Sequence, residues 1–234
     1  MLLLFDIDAT LIKLKHGVGR GVLREAFLHT YHVDPVDALV GYSFSGRTDR
    51  QIVLDISSLL DISQETAERR FPDYQVEMER RMTASIDHSC LDVLDGVSTM
   101  LESVATQHDL ALVTGNIKRI AFHKLSVGGI DHFFEIGAFG CEHANRSLLP
   151  PLAIERFNGT FGTRHSPSTS VVIGDAPGDV QCATDNGIAT IAVATGEFTT
   201  AQLLESGATA ALSSFADVRS LLNAIESLPT PMKH

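Results

Sequence analysis

The chain of 234 residues is 44% hydrophobic and 20% charged, which is typical of one globular domain, alone or with a smaller insert, and excludes a disordered or fibrous protein. Its apolar runs are far shorter than the roughly 20 residues of a membrane span, and a strand is predicted from the first residues on, so we predict a cytoplasmic protein without a signal peptide. The net charge of -11 argues against nucleic acid or an anionic membrane surface as the main partner, since both carry charge of the same sign.

The first predicted strand covers residues 2–5 and runs directly into two aspartates, Asp6 and Asp8. Four consecutive apolar residues are typical of a strand that is buried on both faces of a sheet. Ligands of open α/β sheets bind beyond the carboxyl ends of such strands, so the two carboxylates would lie at the mouth of a site. Considered alone, the pair is explained equally well as an acidic turn that closes a core strand.

The next part of the sequence is predicted to leave the core. Residues 13–21 contain three glycines at alternate positions, which predicts a flexible linker. From residue 20 to about residue 88 the apolar residues recur with helical spacing, and no strand pattern is visible. This stretch predicts a small helical domain.

Two features place the helices within this stretch. Thr48 and Gln51 have the spacing of a capping box, which predicts a helix that starts at Thr48. A further amphipathic and charged segment covers residues 64–86, and Pro72 is expected to break or kink it.

From residue 90 onward, strand-like and helix-like segments alternate, as in βαβ units with a parallel sheet. The predicted strands cover residues 110–113, 134–138, 170–173, 190–193 and 210–212, and the predicted helices cover residues 97–107, 117–127, 151–157, 179–186, 200–206 and 215–228. The sequence therefore predicts an α/β fold with a Rossmann-like parallel sheet core, formed by residues 1–13 and 90–234. An α-helical cap domain, residues 14–89, would be inserted after the first strand.

Polar residues follow the second strand of the predicted core. Thr114, Gly115 and Asn116 come directly after residues 110–113 and open a predicted helix. A hydroxyl, a glycine that permits close approach and free amides at a helix N-terminus form an anion site. A simple N-cap at Asn116 is the alternative, and it is the better explanation of this motif alone.

A further strand end adds two carboxylates, Asp175 and Asp179. Alone they would be a turn followed by an acidic helix start. Together with Asp6 and Asp8 they would repel one another unless a cation lay between them. Mg²⁺ prefers oxygen ligands and binds substrate phosphate as well, so Mg²⁺ is the expected cofactor. The three cysteines and the scattered histidines lack the spacing of zinc ligands, and the cysteines are expected to be free thiols.

In this order the motifs resemble those of the haloacid dehalogenase-like hydrolases and, within them, of the phosphoglycolate phosphatase-like phosphatases with a helical cap. The resemblance extends over the whole chain, with the cap between the first and the second motif. The matching segments are Asp6-x-Asp8-x-Thr10 for the first motif, Thr114-Gly115-Asn116 for the second and Gly174-Asp175-x-x-x-Asp179 for the fourth.

The resemblance implies a Mg²⁺-dependent phosphatase that acts on a small phosphorylated metabolite. Asp6 would attack phosphorus and form an aspartyl-phosphate, and Asp8 would protonate the leaving oxygen and then activate water. The implied metal ligands are Asp6, Asp8 through its main-chain carbonyl, Asp175 and Asp179. The implied substrate ligands include Thr114, Gly115 and Asn116.

Two positions depart from the family pattern. Family members carry a lysine, followed by proline, ahead of the fourth motif, whereas residues 145–151 here read NRSLLPP. We choose Arg146 as the phosphate-binding cation, because a guanidinium grips phosphate in bidentate fashion. Lys124 is the competing candidate, unless it is a solvated charge on a helix face. The usual glycine within the first motif is Ala9, which is tolerable only with a negative φ.

Substrate choice is expected to come from the cap, and its most suggestive stretch is the loop of residues 44–49. Arg47 in this loop would reach a carboxylate or a second phosphate of the substrate. The alternative is a capped helix start with a solvated arginine. Cap closure would exclude water from the site.

Other functions are weighed against the phosphatase. A metal-independent dehalogenase would leave Asp8, Asp175 and Asp179 without a role, and a phosphonate hydrolase would need a cap lysine, of which there is none between Lys15 and Lys118. A sugar phosphomutase shares the motifs and stays an alternative, as does a non-catalytic signalling module with a phosphorylated aspartate. The sequence does not name the metabolite, and it leaves a monomer or a homodimer open.

Overall fold

A computed structural model describes residues 1–15 and 17–228. The strands in chain order are β1 (Leu2–Phe5), β2 (Ile12–Leu14), β3 (Leu91–Val93), β4 (Asp109–Thr114), β5 (Gly137–Phe139), β6 (Ser170–Gly174), β7 (Ala189–Val193) and β8 (Ala210–Leu212). The α-helices are α1 (Val18–Tyr31), α2 (Asp49–Leu59), α3 (Gln64–Ser85), α4 (Val97–Val104), α5 (Lys118–Val127), α6 (Leu149–Phe161), α7 (Pro177–Thr184), α8 (Thr200–Glu205) and α9 (Val218–Glu226).

Six strands form one parallel sheet in the order β5-β4-β1-β6-β7-β8, which confirms the predicted α/β fold. The central strand β1 is buried on both faces: Leu3 and Phe5 pack into one apolar cluster, Leu2 and Leu4 into another. This two-sided burial explains its uninterrupted apolar sequence. Because β4 and β6 are its neighbours, the loops that follow these three strands meet at one edge of the sheet.

The strands predicted at residues 110–113, 170–173, 190–193 and 210–212 are confirmed as β4, β6, β7 and β8. The prediction for residues 134–138 is wrong in position, because β5 is Gly137–Phe139 and a 3₁₀ turn, Asp131–Phe133, precedes it. Phe134 instead packs its ring edge-to-face on Phe5, with centroids 5.9 Å apart. An apolar residue that fills the core from a loop was mistaken for the start of a strand.

The predicted linker at residues 13–21 is largely structured. Strand β2 pairs with β3 in antiparallel fashion, with Ile12 opposite Val93 and Leu14 opposite Leu91. Helix α1 then begins at Val18 and contains two of the three glycines. The partner of β2 is distant in sequence, so local composition did not reveal the strand. The division of the chain into domains at residues 13 and 90 stays a prediction.

Between β2 and β3 lie the three helices α1 to α3, residues 18–85, which we call the helical insert. Aromatic side chains hold it together: Phe27 and Tyr31 of α1 lie against Tyr74 of α3, with ring centroids 6.4 to 6.5 Å from that of Tyr74. The Thr48 side chain accepts a hydrogen bond of 3.1 Å from the Gln51 amide, which confirms Thr48 as the N-cap of α2.

Helix α3 continues through Pro72, so a break at this residue is wrong, whereas the alternative, a kink, stays a prediction. Proline removes one backbone hydrogen bond. The adjacent Phe71 and the nearby Tyr74 are buried, and their packing holds the helix together on both sides of the proline.

Within residues 1–15 and 17–228, no helix combines the length and the apolar content of a membrane span. The three cysteines are free thiols, as predicted: Cys90, Cys141 and Cys182.

Candidate functional site

The site lies where β1, β4 and β6 end. Asp6 follows β1, Thr114 is the last residue of β4, and Asp175 follows β6. The Asp6 amide donates to the carbonyl of Ile173 at 2.9 Å, which continues the pairing of β1 with β6 to the first aspartate. The sheet order thus brings together three motifs that are far apart in sequence.

Three of the predicted aspartates form a buried acidic cluster: Asp6, Asp175 and Asp179 each offer a carboxylate oxygen, and these oxygens lie within 4.8 Å of one another. Asp179 lies in the first turn of α7, where its carboxylate also accepts a hydrogen bond of 3.1 Å from the Ala176 amide. The Thr10 hydroxyl donates to Asp175 at 3.4 Å. The fourth predicted aspartate, Asp8, directs its carboxylate elsewhere.

Arg146 lies against this cluster. Its Nη2 donates to Oδ1 of Asp6 at 3.0 Å and to Oδ1 of Asp179. The arginine is 7% exposed, and its Nε is buried without a partner among the described residues. A 3₁₀ turn, Arg146–Leu148, places it there, and the Asn145 side chain caps that turn. The structure thus brings Arg146 to Asp6, while its binding of phosphate stays a prediction.

Charge is unbalanced in this cluster, because three carboxylates face one guanidinium. Burial, reinforced by Asp179 and Asp8, raises the pKa of Asp6 to about 7 despite the opposing effect of Arg146. Burial, with Asp179 and Asp6, raises the pKa of Asp175 to about 8. Burial lowers the pKa of Arg146, but the same aspartates outweigh it and raise that pKa above its ordinary value. With all groups ionised, two negative charges remain in excess, and oxygen ligands of this kind fit a divalent cation such as Mg²⁺.

A second group of polar side chains surrounds Asp8. Lys124 Nζ lies 2.8 and 2.7 Å from the two carboxylate oxygens of Asp8, and 2.6 Å from Oδ1 of Asn116. The side-chain amide of Asn116 donates to Asp8 at 2.6 Å and to the Thr114 hydroxyl at 2.8 Å. The sequence offered Lys124 as a phosphate-binding cation or a solvated charge, but it is buried and its partner is Asp8.

The N-cap interpretation of Asn116 is wrong. Helix α5 begins at Lys118 with Ile117 as its N-cap, and no side chain caps it. The Asn116 side chain bonds to Asp8 and Lys124 instead, so it belongs to the site.

The loop before α2 contacts the second motif. The Asp49 amide donates to the Gly115 carbonyl at 2.7 Å, and the Asp49 carboxylate accepts from the Ile117 amide at 2.8 Å. A Cβ atom at Gly115 would overlap the carbonyl of Arg47, so glycine is required by the approach of this loop. Sequence analysis did not identify Asp49 as a site residue. Its position directly after Thr48, the N-cap of α2, was a signal that could have found it.

Arg47 does not extend freely into the site. Its guanidinium pairs with Asp55 at 2.7 Å and lies over the ring of Tyr42, 5.3 Å from the ring centroid. It nevertheless lines the same cavity as Asp6 and Asp8, which has a volume of about 480 Å³. Its predicted contact with substrate stays a prediction.

The expectation for Ala9 is wrong, since its φ is +57°. The left-handed conformation lets the chain turn back after Asp8: the Ala9 amide donates to the Ile12 carbonyl at 2.7 Å. The Ala9 carbonyl in turn accepts from the Thr195 hydroxyl at 2.5 Å. A side chain in this conformation costs about 1 kcal/mol, and these contacts hold it there.

Comparison with known proteins shows which solved structures share this fold. No curated protein matches the sequence significantly. Among solved structures, β-phosphoglucomutase from Clostridium difficile is 15% identical, with 96% of each chain covered and a TM-score of 0.67. A protein from Clostridium acetobutylicum described as a predicted phosphatase is 18% identical, with 95% of this chain and 98% of that chain covered and a TM-score of 0.65. A predicted phosphoglycolate phosphatase from Haemophilus somnus is 19% identical, with 94% of this chain and 97% of that chain covered and a TM-score of 0.62.

At these identities the solved structures show a shared fold. The sequence itself gives the family, because a family profile described as haloacid dehalogenase-like hydrolase matches residues 3–193, which is most of the chain. The match runs through the strand ends that carry Asp6, Thr114 and Asp175, together with the helical insert. The chain belongs to the haloacid dehalogenase-like hydrolases.

Proposed function

We propose that this protein is a Mg²⁺-dependent phosphatase that hydrolyses a small phosphomonoester through an aspartyl-phosphate on Asp6. The observation that carries the proposal is the acidic cluster at the end of β1, in which Asp6 belongs to a candidate metal site and also accepts a hydrogen bond from the guanidinium of Arg146. Phosphoryl transfer needs an aligned nucleophile and neutralisation of charge on the equatorial oxygens, and this cluster has groups for both.

Asp6, Asp175 and Asp179, together with the main-chain carbonyl of Asp8, would hold the metal. When bound, Mg²⁺ neutralises charge on the phosphoryl oxygens and offsets the negative excess of the cluster. Arg146 supplies the remaining positive charge, and its side chain lines the same cavity as Asp6, where a phosphoryl group would bind.

The chain's own residues carry the two chemical steps. The Asp6 carboxylate attacks phosphorus, the bond from phosphorus to the leaving oxygen breaks, and Asp8 gives its proton to that oxygen. Water then attacks the phosphorus of the aspartyl-phosphate as Asp8 takes a proton from it, and the bond to Asp6 breaks. The Thr114 hydroxyl accepts from Asn116, so its own proton is free to bind a phosphoryl oxygen.

Two alternatives are less well supported. A phosphomutase must hold a second phosphate of its substrate, and Arg47, the candidate for that contact, is already neutralised by Asp55. A signalling module with a stable phosphoaspartate has no use for Asp8, a ready acid and base beside the nucleophile. A cytoplasmic location and a monomeric or homodimeric state stay predictions.

The proposal is tested by phosphate release from 4-nitrophenyl phosphate, with Mg²⁺ and with EDTA. We expect release from the wild type with Mg²⁺, none with EDTA, and a loss of at least about 1,000-fold in Asp6→Asn, which removes the nucleophile. Asp37→Asn is the matched control, since Asp37 is exposed and is not among the residues that line the cavity. Release that is independent of Mg²⁺ or of Asp6 would contradict the proposal, and isomerised sugar phosphate without free phosphate would favour the mutase.

A further inference from the structure

We infer that Lys124 is a positioning residue that orients the carboxylate of Asp8 for proton transfer to the leaving group. The inference rests on the proposed function, because it assigns Lys124 a role through the acid and base of that reaction. It concerns a residue outside the strand-end motifs, on the second turn of α5.

The contacts of Lys124 account for all its donors. An ammonium group has three N–H donors, and Nζ lies within 2.8 Å of three acceptors, namely both oxygens of Asp8 and Oδ1 of Asn116. No donor is left over for a substrate phosphate. Arg146, by contrast, lies against Asp6 and Asp179 and does not contact Asp8 among the described residues. Lys124 and Arg146 therefore have different partners and different tasks.

Stability does not account for a lysine at this position. Its neighbours on the buried face of α5 are the apolar residues Ile120, Ala121 and Leu125, and Lys124 itself is only 3% exposed. Burying an ammonium group has a large desolvation cost, and apolar replacement of a buried ion pair is often neutral or stabilising. A lysine here is explained by what it does to Asp8.

Asp8 needs such a partner because its side chain is 42% exposed at the cavity. A half-exposed carboxylate rotates between several orientations unless it is held. Lys124 and Asn116 fix both of its oxygens: Oδ2 accepts from both residues, whereas Oδ1, among the described residues, accepts from Lys124 alone. Oδ1 keeps a free lone pair and is thus the oxygen that exchanges the proton with the leaving group.

Proton transfer to the leaving oxygen matters most when that oxygen is strongly basic. Benzyl phosphate has such a leaving group, whereas 4-nitrophenyl phosphate has one that departs readily without a proton. The ratio kcat/KM reports the steps up to release of the leaving group, and therefore isolates the step in which Asp8 acts as an acid. A lysine that only supported the fold would affect both substrates equally.

The test compares kcat/KM of wild type and Lys124→Met on these two substrates with Mg²⁺. We expect a loss of about 10- to 100-fold on benzyl phosphate and of less than about 5-fold on 4-nitrophenyl phosphate, since general acid catalysis contributes about 100- to 10,000-fold in enzymes. Lys124→Arg should recover part of the loss, because a guanidinium also donates to both oxygens of a carboxylate. Lys118→Met, an exposed lysine on the same helix, is the control.

A double-mutant cycle makes the test specific to Asp8. In an Asp8→Asn background, Lys124→Met should cause no further change in the ratio of the two substrates, because the group that Lys124 orients is gone. If the methionine variant does not fold, Lys124→Gln serves in its place. Equal losses on both substrates, or additive effects in the double mutant, would overturn the inference and leave the proposed function standing. A wild type without Mg²⁺-dependent release would overturn both.

Discussion

The site contains two clusters of cations and carboxylates that differ in charge and in burial. The Arg146 cluster, made up of Arg146, Asp6, Asp175 and Asp179, is buried and has three acids for one cation. The Lys124 cluster, made up of Lys124, Asp8 and Asn116, has one acid for one cation, and that acid is half exposed. Only one residue, Ile7, separates Asp6 from Asp8, yet the two aspartates bind different cations.

This difference indicates a division of tasks. An excess of buried negative charge is unfavourable in the protein alone and is relieved by a divalent cation. A neutral pair of ions with one exposed carboxylate needs no further ligand, and its acid stays accessible to substrate. We therefore attribute metal and phosphate binding to the Arg146 cluster and proton transfer to the Lys124 cluster. Three further predictions test this comparison.

The largest expected effect is on stability, where the two cations should differ. Arg146→Met leaves the buried Asp6 and Asp179 without their cation, so the free energy of unfolding should fall by about 3 kcal/mol or more. Lys124→Met should lower it by less than half as much, because water can reach Asp8. Urea denaturation in EDTA measures both, with the exposed Arg164 replaced by Met as the control. Equal losses would mean that burial does not distinguish the clusters.

A smaller effect concerns pH and metal in the Arg146 cluster. The pKa of Asp175 is about 8 in the folded protein against an ordinary value of 3.8, so folding favours its protonated form. The stability that Asp175 contributes is fully present below its unfolded pKa of 3.8. It is lost as the pH rises through its folded pKa of about 8. The melting temperature in EDTA should therefore fall between about pH 5 and pH 8, and Mg²⁺ should raise it more at the upper end.

The control for this experiment is Asp175→Asn, which removes the titrating group. It should reduce the dependence of the melting temperature on pH, leaving the part that comes from Asp6 with its pKa of about 7, and abolish most of the effect of Mg²⁺. A wild type in EDTA that is equally stable across this range would contradict the charge imbalance that we attribute to the cluster.

The smallest effect is expected at Ala9, on the loop that directly follows Asp8. Ala9→Gly removes the cost of a side chain at a φ of +57°, and the free energy of unfolding should rise by about 0.5 to 1 kcal/mol. Ala216→Gly, in a loop where φ is not positive, should instead be neutral or destabilising, because glycine gains freedom in the unfolded chain. Urea denaturation distinguishes the two, and a loss of stability in Ala9→Gly would contradict the prediction.

Local pattern alone determined much of the fold. The apolar run of β1, the alternation of strands and helices after residue 90 and the N-cap at Thr48 depend on neighbours in sequence, and the structure confirms them. Aspartates placed directly after buried strands were sufficient to predict that they would meet, since parallel strands end at one edge of a sheet.

Tertiary structure determined the features whose interaction partners are far apart in the sequence. Strand β2 exists because β3 pairs with it, and α3 continues through Pro72 because its flanking aromatics are buried. The same holds for the cations: Arg146 reaches Asp6 across 140 positions, and Lys124 reaches Asp8 across 116. The sequence identified both residues as candidates and could not assign them, because the partner of a long charged side chain is set by packing. The sequence alone determined which acidic residues form the site, and the folded chain determined which cation each of them pairs with.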